Sequence, residues 1–504
     1  MGAKPLFKTH SIVLDLLALI GGFLTLYSVC WLVPYLFTDD YASLAATYQG
    51  TLKQSLEHVV AGGRSLYAGA MIVAFSSVDS FYSLRILRFI SVLGIAFTAW
   101  LVSISLRRAG WSRRASLVSG FLIGTLPAFQ VYASWAITFI FPWATALTAL
   151  SVRCIAFRAE AALRRKAGLL ALSALILVVS LNIYQPAAMF FWVFAVIQLF
   201  VRYRQQYETQ VRMFGYYMLV FLSSLLASYL ILKLTETFFV HRLERSQLIS
   251  SFYDVLVKLK WFATYPLTDA ANFVNIHSTF WTALLVLGTT LVGAFFYLDH
   301  SVKRKLVLIA MGLSIILFSY TPNLLVASSP PSYRTQVALS SLLLLFLIMS
   351  LKGLSQLIAN KTFVQKWSQA GVILVLPLFS VWAIYNVTAA IVIPQFTELV
   401  NVSMQLTADK LVSAQTIYYV APDSDNPARS LAPYKKYDEF GLASGNASWA
   451  QANAVYVVLH ERFPEHKDKQ VKVIHQNDPI AGNDQALVID HSPLWKLSSF
   501  FYPK

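Results

Sequence analysis

Ser83–Leu106 reads SLRILRFISVLGIAFTAWLVSISL, and no charged residue stands between Arg88 and Arg107. As an α-helix of 1.5 Å rise per residue this stretch is about 36 Å long. That is enough to cross a hydrocarbon core of about 30 Å. Comparable runs recur at about 12–37, 115–131, 133–152, 167–182, 186–201, 213–233, 278–298, 306–320, 335–351 and 370–394, which makes eleven predicted spans. Residues 66–77 form a shorter apolar piece, expected to be interfacial or re-entrant. Segments 115–131 and 133–152 are almost contiguous and predict a tight helical hairpin.

The composition agrees. Of 504 residues, 57% are hydrophobic and 13% charged, about half the charge of a soluble domain. A water-soluble enzyme is excluded, and the apolar content excludes a disordered scaffold. The net charge of +16 is unevenly placed: up to residue 394 there are 30 Lys and Arg against 12 Asp and Glu, and from 395 onward 10 against 12. The basic residues occupy loops between apolar runs, where they set membrane orientation; no nucleic-acid partner is expected. With a cytoplasmic N-terminus and alternating spans, 20 basic residues of short loops, Arg107, Arg113, Arg202, Arg204, Lys303 and Lys352 among them, fall on the cytoplasmic side and 10 on the other. This alternation puts the tail outside the cytoplasm. The first span is too long for a signal segment and reads as a retained helix.

The expected fold is therefore an all-α polytopic membrane domain over 1–394 followed by a small soluble α/β domain over 395–504. In the tail, β-rich runs at Thr416–Val420, Ala454–His460, Val471–His475 and Ala486–Asp490 alternate with loops such as Pro422–Pro427 and Gly441–Ser448, behind a helix near 397–413. Cys30 and Cys154 both lie in apolar segments and build neither a disulfide framework nor a thiolate metal site.

The first external loop opens on Thr38-Asp39-Asp40-Tyr41, directly after an apolar run. One carboxylate of such a pair can serve as general base on an acceptor hydroxyl, the other raising its pKa or holding the acceptor. The alternative is two solvated acids in a loop. Gly62-Gly63-Arg64 and Asp79 follow, then Arg85 and Arg88, which are three apart and share a helix face. An arginine pair at head-group level suits a phosphate or diphosphate, or snorkels to lipid. Arg334 resembles them, ending the loop Ser328-Ser329-Pro330-Pro331-Ser332-Tyr333 on the same side. Asn182, Tyr184 and Gln185 occupy a short turn between spans, where amides can bind a sugar hydroxyl and the tyrosine can stack on a ring; a merely satisfied turn is the other reading. The loop 234–277 adds Lys233, His241, Arg242, Arg245, Lys258 and Lys260 among aromatic residues.

No metal-ligand spacing, Walker loop, dinucleotide fingerprint or nucleophile elbow occurs. Asp15 is the main ionisable group within a span, whereas ion-coupled transporters place such groups near the midplane.

Together, the acidic pair after span one, the interfacial first loop and the terminal non-cytoplasmic domain resemble the GT-C glycosyltransferases. Asp39-Asp40-Tyr41, Gly63-Arg64 and Asn182-Ile183-Tyr184-Gln185 look most like the bacterial O-antigen glucosyltransferases of the serotype-conversion type. The resemblance implies an inner-membrane enzyme with a periplasmic tail. It would move a sugar, most simply glucose, from undecaprenyl phosphate to a lipid-linked or polysaccharide acceptor. Asp39 would be the base, with Asp40 supporting it or exchanging roles. Arg64, Arg85, Arg88 and Arg334 would neutralise the departing phosphate, and Asp79 would position the acceptor beside Tyr41, Tyr184 and Gln185. No cofactor is expected, a divalent ion held by the carboxylate pair being the alternative. Rival readings are a polysaccharide polymerase or ligase, and a lipid-linked sugar flippase.

Overall fold

The computed structural model describes residues 9–158, 163–238, 247–274, 280–328, 331–358, 361–421, 433–434, 436–442, 444–475 and 486–491. All eleven apolar runs are helical in it. Eight helices are long and apolar enough to cross a membrane: Leu84–Arg108, Ala136–Phe157, Lys166–Ile183, Gln185–Arg202, Tyr207–Phe238, Phe280–Tyr297, Val337–Ser355 and Leu374–Gln405. A ninth is formed if Arg113–Gly124 and Pro127–Ser134, bent by 61°, count together. The expected count of eleven is not reached among the described residues.

The reasons are local. The run at 12–37 is helical over Thr9–Leu26 and again over Ser28–Leu32. The chain then turns extended at Val33, since the residue before a proline is steered out of the α region, here by Pro34. The run at 306–320 lies in Val302–Phe318, 17 residues that open on Lys303-Arg304-Lys305. Segments 115–131 and 133–152 are joined through Ala136–Thr138, but the first is bent where Pro127 begins a new helix, and both pack on Leu84–Arg108 rather than on each other as a tight hairpin would. The short apolar piece is the helix Ser65–Phe75.

Burial orders the spans. Gln185–Arg202 is 83% buried and forms the centre of the bundle, whereas Tyr207–Phe238 is 17% buried. The latter exposes Leu222, Leu226, Leu230 and Leu234, one helical stripe that only an apolar surrounding accommodates. Helices Phe280–Tyr297 and Val337–Ser355 cross closely through two glycines: a Cβ on Gly293 would collide with Ser350, and one on Gly353 with the Gly293 carbonyl. Small residues of this kind let apolar helices pack backbone to backbone.

The last span continues through residue 394, by way of a π turn at Thr388–Val392, into Ile393–Gln405. Beyond it, a parallel three-stranded sheet has the order β2-β1-β3, with β1 Thr416–Ala421, β2 Gln470–His475 and β3 Ala486–Asp490. Thr416 pairs with Gln470 on one side and Ala486 on the other. Three of the four β-rich runs are these strands. The fourth, Ala454–His460, is a correction: it lies inside a helix, Ser448–Arg462, hereafter the tail helix. Parallel neighbours need a crossover connection, and this segment provides it between β1 and β2, burying Val455, Val457, Val458 and Leu459.

The tail is joined to the bundle by buried polar contacts. Tyr434 donates to Asn386, which itself donates to Gln130; Gln395 donates to the Leu442 carbonyl; Lys436 pairs with Asp269 at 2.8 Å.

Replacing Gly353 with Leu forces these two helices apart, and the overpacking costs about 1–3 kcal/mol. The expected outcome is a lower melting temperature in detergent for G353L, read by tryptophan fluorescence, whereas G371A, at a glycine with open space around it, melts like the wild type.

Candidate functional site

After Pro34 the chain runs extended to Phe37 and then forms the helix Thr38–Tyr48, the loop helix. Adjacent positions on a helix point about 100° apart, so Asp39 and Asp40 face different surroundings. The Asp40 carboxylate is fully buried. It accepts the Phe37 N–H at 3.1 Å, the Ile137 N–H at 3.2 Å and Arg88 Nη2 at 3.0 Å. Arg88 is buried as well, with its guanidinium 3.8 Å from the Tyr35 ring centroid.

This arrangement bears on two expectations. Asp40 is turned away from Asp39 into a buried ion pair. Arg88 is turned inward onto Asp40 rather than outward to a head group, with Nε and Nη1 making no hydrogen bond among the described residues. Arg85 is spent on carbonyls, donating to Tyr82 at 2.9 Å and Leu32 at 3.3 Å.

Asp39 faces outward and meets the tail. The Trp449 indole N–H donates to it at 2.6 Å. Burial pushes the Asp39 carboxyl above its ordinary value, against the opposing pull of nearby Arg334 and of that N–H. Arg334 sits in the turn Tyr333–Thr335, with its guanidinium 4.6 Å from the Trp135 ring. Asp438 pairs with it at 3.0 Å, and Glu439 lies 3.9 Å away. Glu439 is buried and holds the turn by accepting from Ser332 Oγ and from the N–H groups of Tyr333 and Arg334. Burial pushes its carboxyl up to about 7, with Asp438 next door adding to the effect.

Arg64 supplies a second cation. It is half-buried, its side chain forms no hydrogen bond or ion pair among the described residues, and it lies within electrostatic range of Tyr67 and Tyr184. Its position follows from the preceding turn. Gly63 has φ +74°, a left-handed value that favours glycine, and Gln185 Nε2 donates to the Gly62 carbonyl at 3.1 Å. Gln185 therefore shapes the turn that presents Arg64. Asn182 accepts from Ser65 just beyond it at 3.4 Å. Tyr184 stacks on Phe141 at 4.0 Å and faces both Arg334 and Arg64.

The structure thus gathers Asp39, Arg64, Tyr184 and Arg334 at one end of the bundle, and adds Asp438, Glu439 and Trp449. Three predicted residues lie elsewhere. Tyr41 is buried toward Glu398 and Tyr419. Asp79 is exposed near Tyr48 and Glu461, roughly 14 Å along the loop helix from Asp39 at 1.5 Å per residue. Lys258 is buried and donates to the carbonyls of Asn323 and Ser328. His241, Arg242 and Arg245 lie outside the described residues. Among those described, no three His, Cys, Asp or Glu converge as metal ligands.

The sequence model of the family described as Glucosyl transferase GtrII matches residues 82–351, more than half of the chain. The chain belongs to this family. It is a membrane glucosyltransferase. The matched region of this GtrII-family chain holds Arg85, Arg88, Tyr184, Gln185 and Arg334, and leaves the loop helix, Arg64 and the tail outside it. No curated protein matches the chain.

Asp40 and Asp39 are separable by stability. Removing one partner of a buried ion pair costs about 3–5 kcal/mol, so R88A is expected to unfold at a markedly lower temperature. D39N keeps an oxygen for Trp449 and is expected to melt within a degree or two of the wild type, both read by thermal unfolding of the purified protein.

Proposed function

We propose that this glucosyltransferase takes glucose from an undecaprenyl-phosphate carrier and transfers it to a hydroxyl of an O-antigen or other lipid-linked glycan, on the non-cytoplasmic face of the bacterial inner membrane, within a GT-C type of architecture. The observation that carries the reading is the convergence of Asp39, Arg334, Arg64 and Tyr184 at the membrane end of the loop helix. A polyprenyl carrier keeps its reactive carbon at the membrane surface, the level at which these groups gather. The excess of basic residues in the loops at the other end of the bundle supports the assignment of sides.

In this mechanism the Asp39 carboxylate takes the proton of the acceptor hydroxyl. The acceptor oxygen bonds to the anomeric carbon of the sugar as the bond from that carbon to the phosphate oxygen breaks. The phosphate leaves with the electron pair, and its added charge faces Arg64 and Arg334, which supply the electrostatic stabilisation. Asp39 then loses its proton to water. Burial makes Asp39 a stronger base than a free carboxylate. Arg334 is already held by Asp438 and Glu439, so Arg64 is the cation with charge to spare. The aromatic faces of Tyr184 and Trp449 suit a sugar ring.

The test is transfer of label from radiolabelled polyprenyl-phosphate glucose to a polysaccharide-lipid acceptor by purified protein. D39N is expected to lose about 10²–10⁴-fold in rate at unchanged melting temperature, and R64Q to lose kcat. The wild-type rate is expected to fall on the acid side, because a base works only when deprotonated. Its midpoint is expected above the roughly 3.9 of a free aspartate. Full activity in D39N removes Asp39 from the chemistry.

A further inference from the structure

The end of the bundle opposite Asp39 carries a second site. A polar cavity of about 260 Å³ opens there, lined by Gly110, Arg202, Arg204, Gln205, Tyr297 and Lys352 among others. Some cations at this end have carboxylate partners: Arg107 and Arg113 share Asp15, and Arg304 pairs with Glu208. Arg202, Arg204 and Lys352 have no carboxylate within ion-pair distance among the described residues. Arg204 and Lys352 lie within electrostatic range of each other, so two like charges share the cavity without a counter-charge.

Arg204 is also pre-positioned. His300 bonds its carbonyl at 2.9 Å, its guanidinium lies 4.1 Å from the Tyr297 ring centroid, and its Nη2 reaches Gln356 at 3.4 Å. Its Nε is buried without a hydrogen bond. A fixed guanidinium with a donor unspent matches an anionic oxygen. Ordinary snorkelling, by contrast, needs neither a cavity nor a held side chain.

Tyr297 lines a second hollow as well. It is almost wholly apolar and is walled by Phe200, Leu291, Leu298, Ile309 and Phe346. The basic cavity and the apolar groove therefore share Tyr297 as a wall, a polar hollow on one side of it and a hydrocarbon one on the other. Basic pockets of this kind between membrane helices take up anionic lipid head groups. We propose that this site binds an anionic phospholipid, with its phosphate among Arg202, Arg204 and Lys352 and an acyl chain in the groove beyond Tyr297. The proposal is independent of the transfer chemistry at Asp39.

The test is native mass spectrometry of the full-length protein with phosphatidylglycerol, with phosphatidylcholine and with inorganic phosphate. The expected result is at least tenfold preference for phosphatidylglycerol over phosphatidylcholine, lost in R204Q and retained in K303Q, an exposed cation outside the cavity. If R204Q fails to purify, R202Q/K352Q carries the same test, since both residues are exposed. Three results overturn the proposal: equal retention of the two lipids, equal loss in K303Q, which marks general surface attraction, and displacement of the lipid by millimolar phosphate, which marks a site for a free anion.

Discussion

The buried pair of Asp40 and Arg88 is the constraint on which the site depends. Two charges removed from water are costly; here Asp40 takes two further N–H groups from separate segments, while Nε and Nη1 of Arg88 make no hydrogen bond among the described residues. One carboxylate thereby fixes the start of the loop helix, the long helix Leu84–Arg108 and the turn at residue 137. Asp39, one residue earlier, inherits its direction from that fixation. The same long helix carries a second ion cluster at its other end, where Arg107 and Arg113 meet Asp15. Arg88 and Arg107 are roughly 28 Å apart at 1.5 Å per residue, close to the hydrocarbon thickness of a bilayer. The helix is thus pinned at both membrane boundaries by internal charges.

The tail belongs to the site as much as the bundle does. Its helix lies alongside the loop helix in the same direction: Trp449 meets Asp39 at one end, and at the other Tyr48 stacks on His460 at 3.9 Å and donates to Glu461 at 2.5 Å. Asp438 and Glu439 hold Arg334, and Glu439 shapes the turn on which Arg334 stands. A soluble appendage would not need buried carboxylates at its junction.

Much of the helical architecture was legible because length and apolarity are local properties. Each of the eleven runs became helix, and only their status as full spans shifted, where Pro34 ended the first early and a basic start shortened the one before Phe318. Ala454–His460 misled because a β-branched run reads as strand, while a parallel sheet demanded a crossover there. The site was half legible. Asp39, Arg64, Tyr184 and Arg334 stand out as polar groups at the ends of apolar runs. The neighbouring Asp40 and Arg88 look identical in sequence, and only a pairing across 48 positions tells them apart. Asp438, Glu439 and Trp449 left no mark, since their partners lie about a hundred residues or more upstream. The adjacent acids at 438 and 439, set between Tyr437 and Phe440, were the available hint.

The hydrogen bond between Asp39 and Trp449 closes a separation of 410 residues. Most of the membrane helices lie between the two partners in the chain, so this contact is made only after those helices have been synthesised, and the surroundings of the Asp39 carboxylate are completed late in the folding of the molecule.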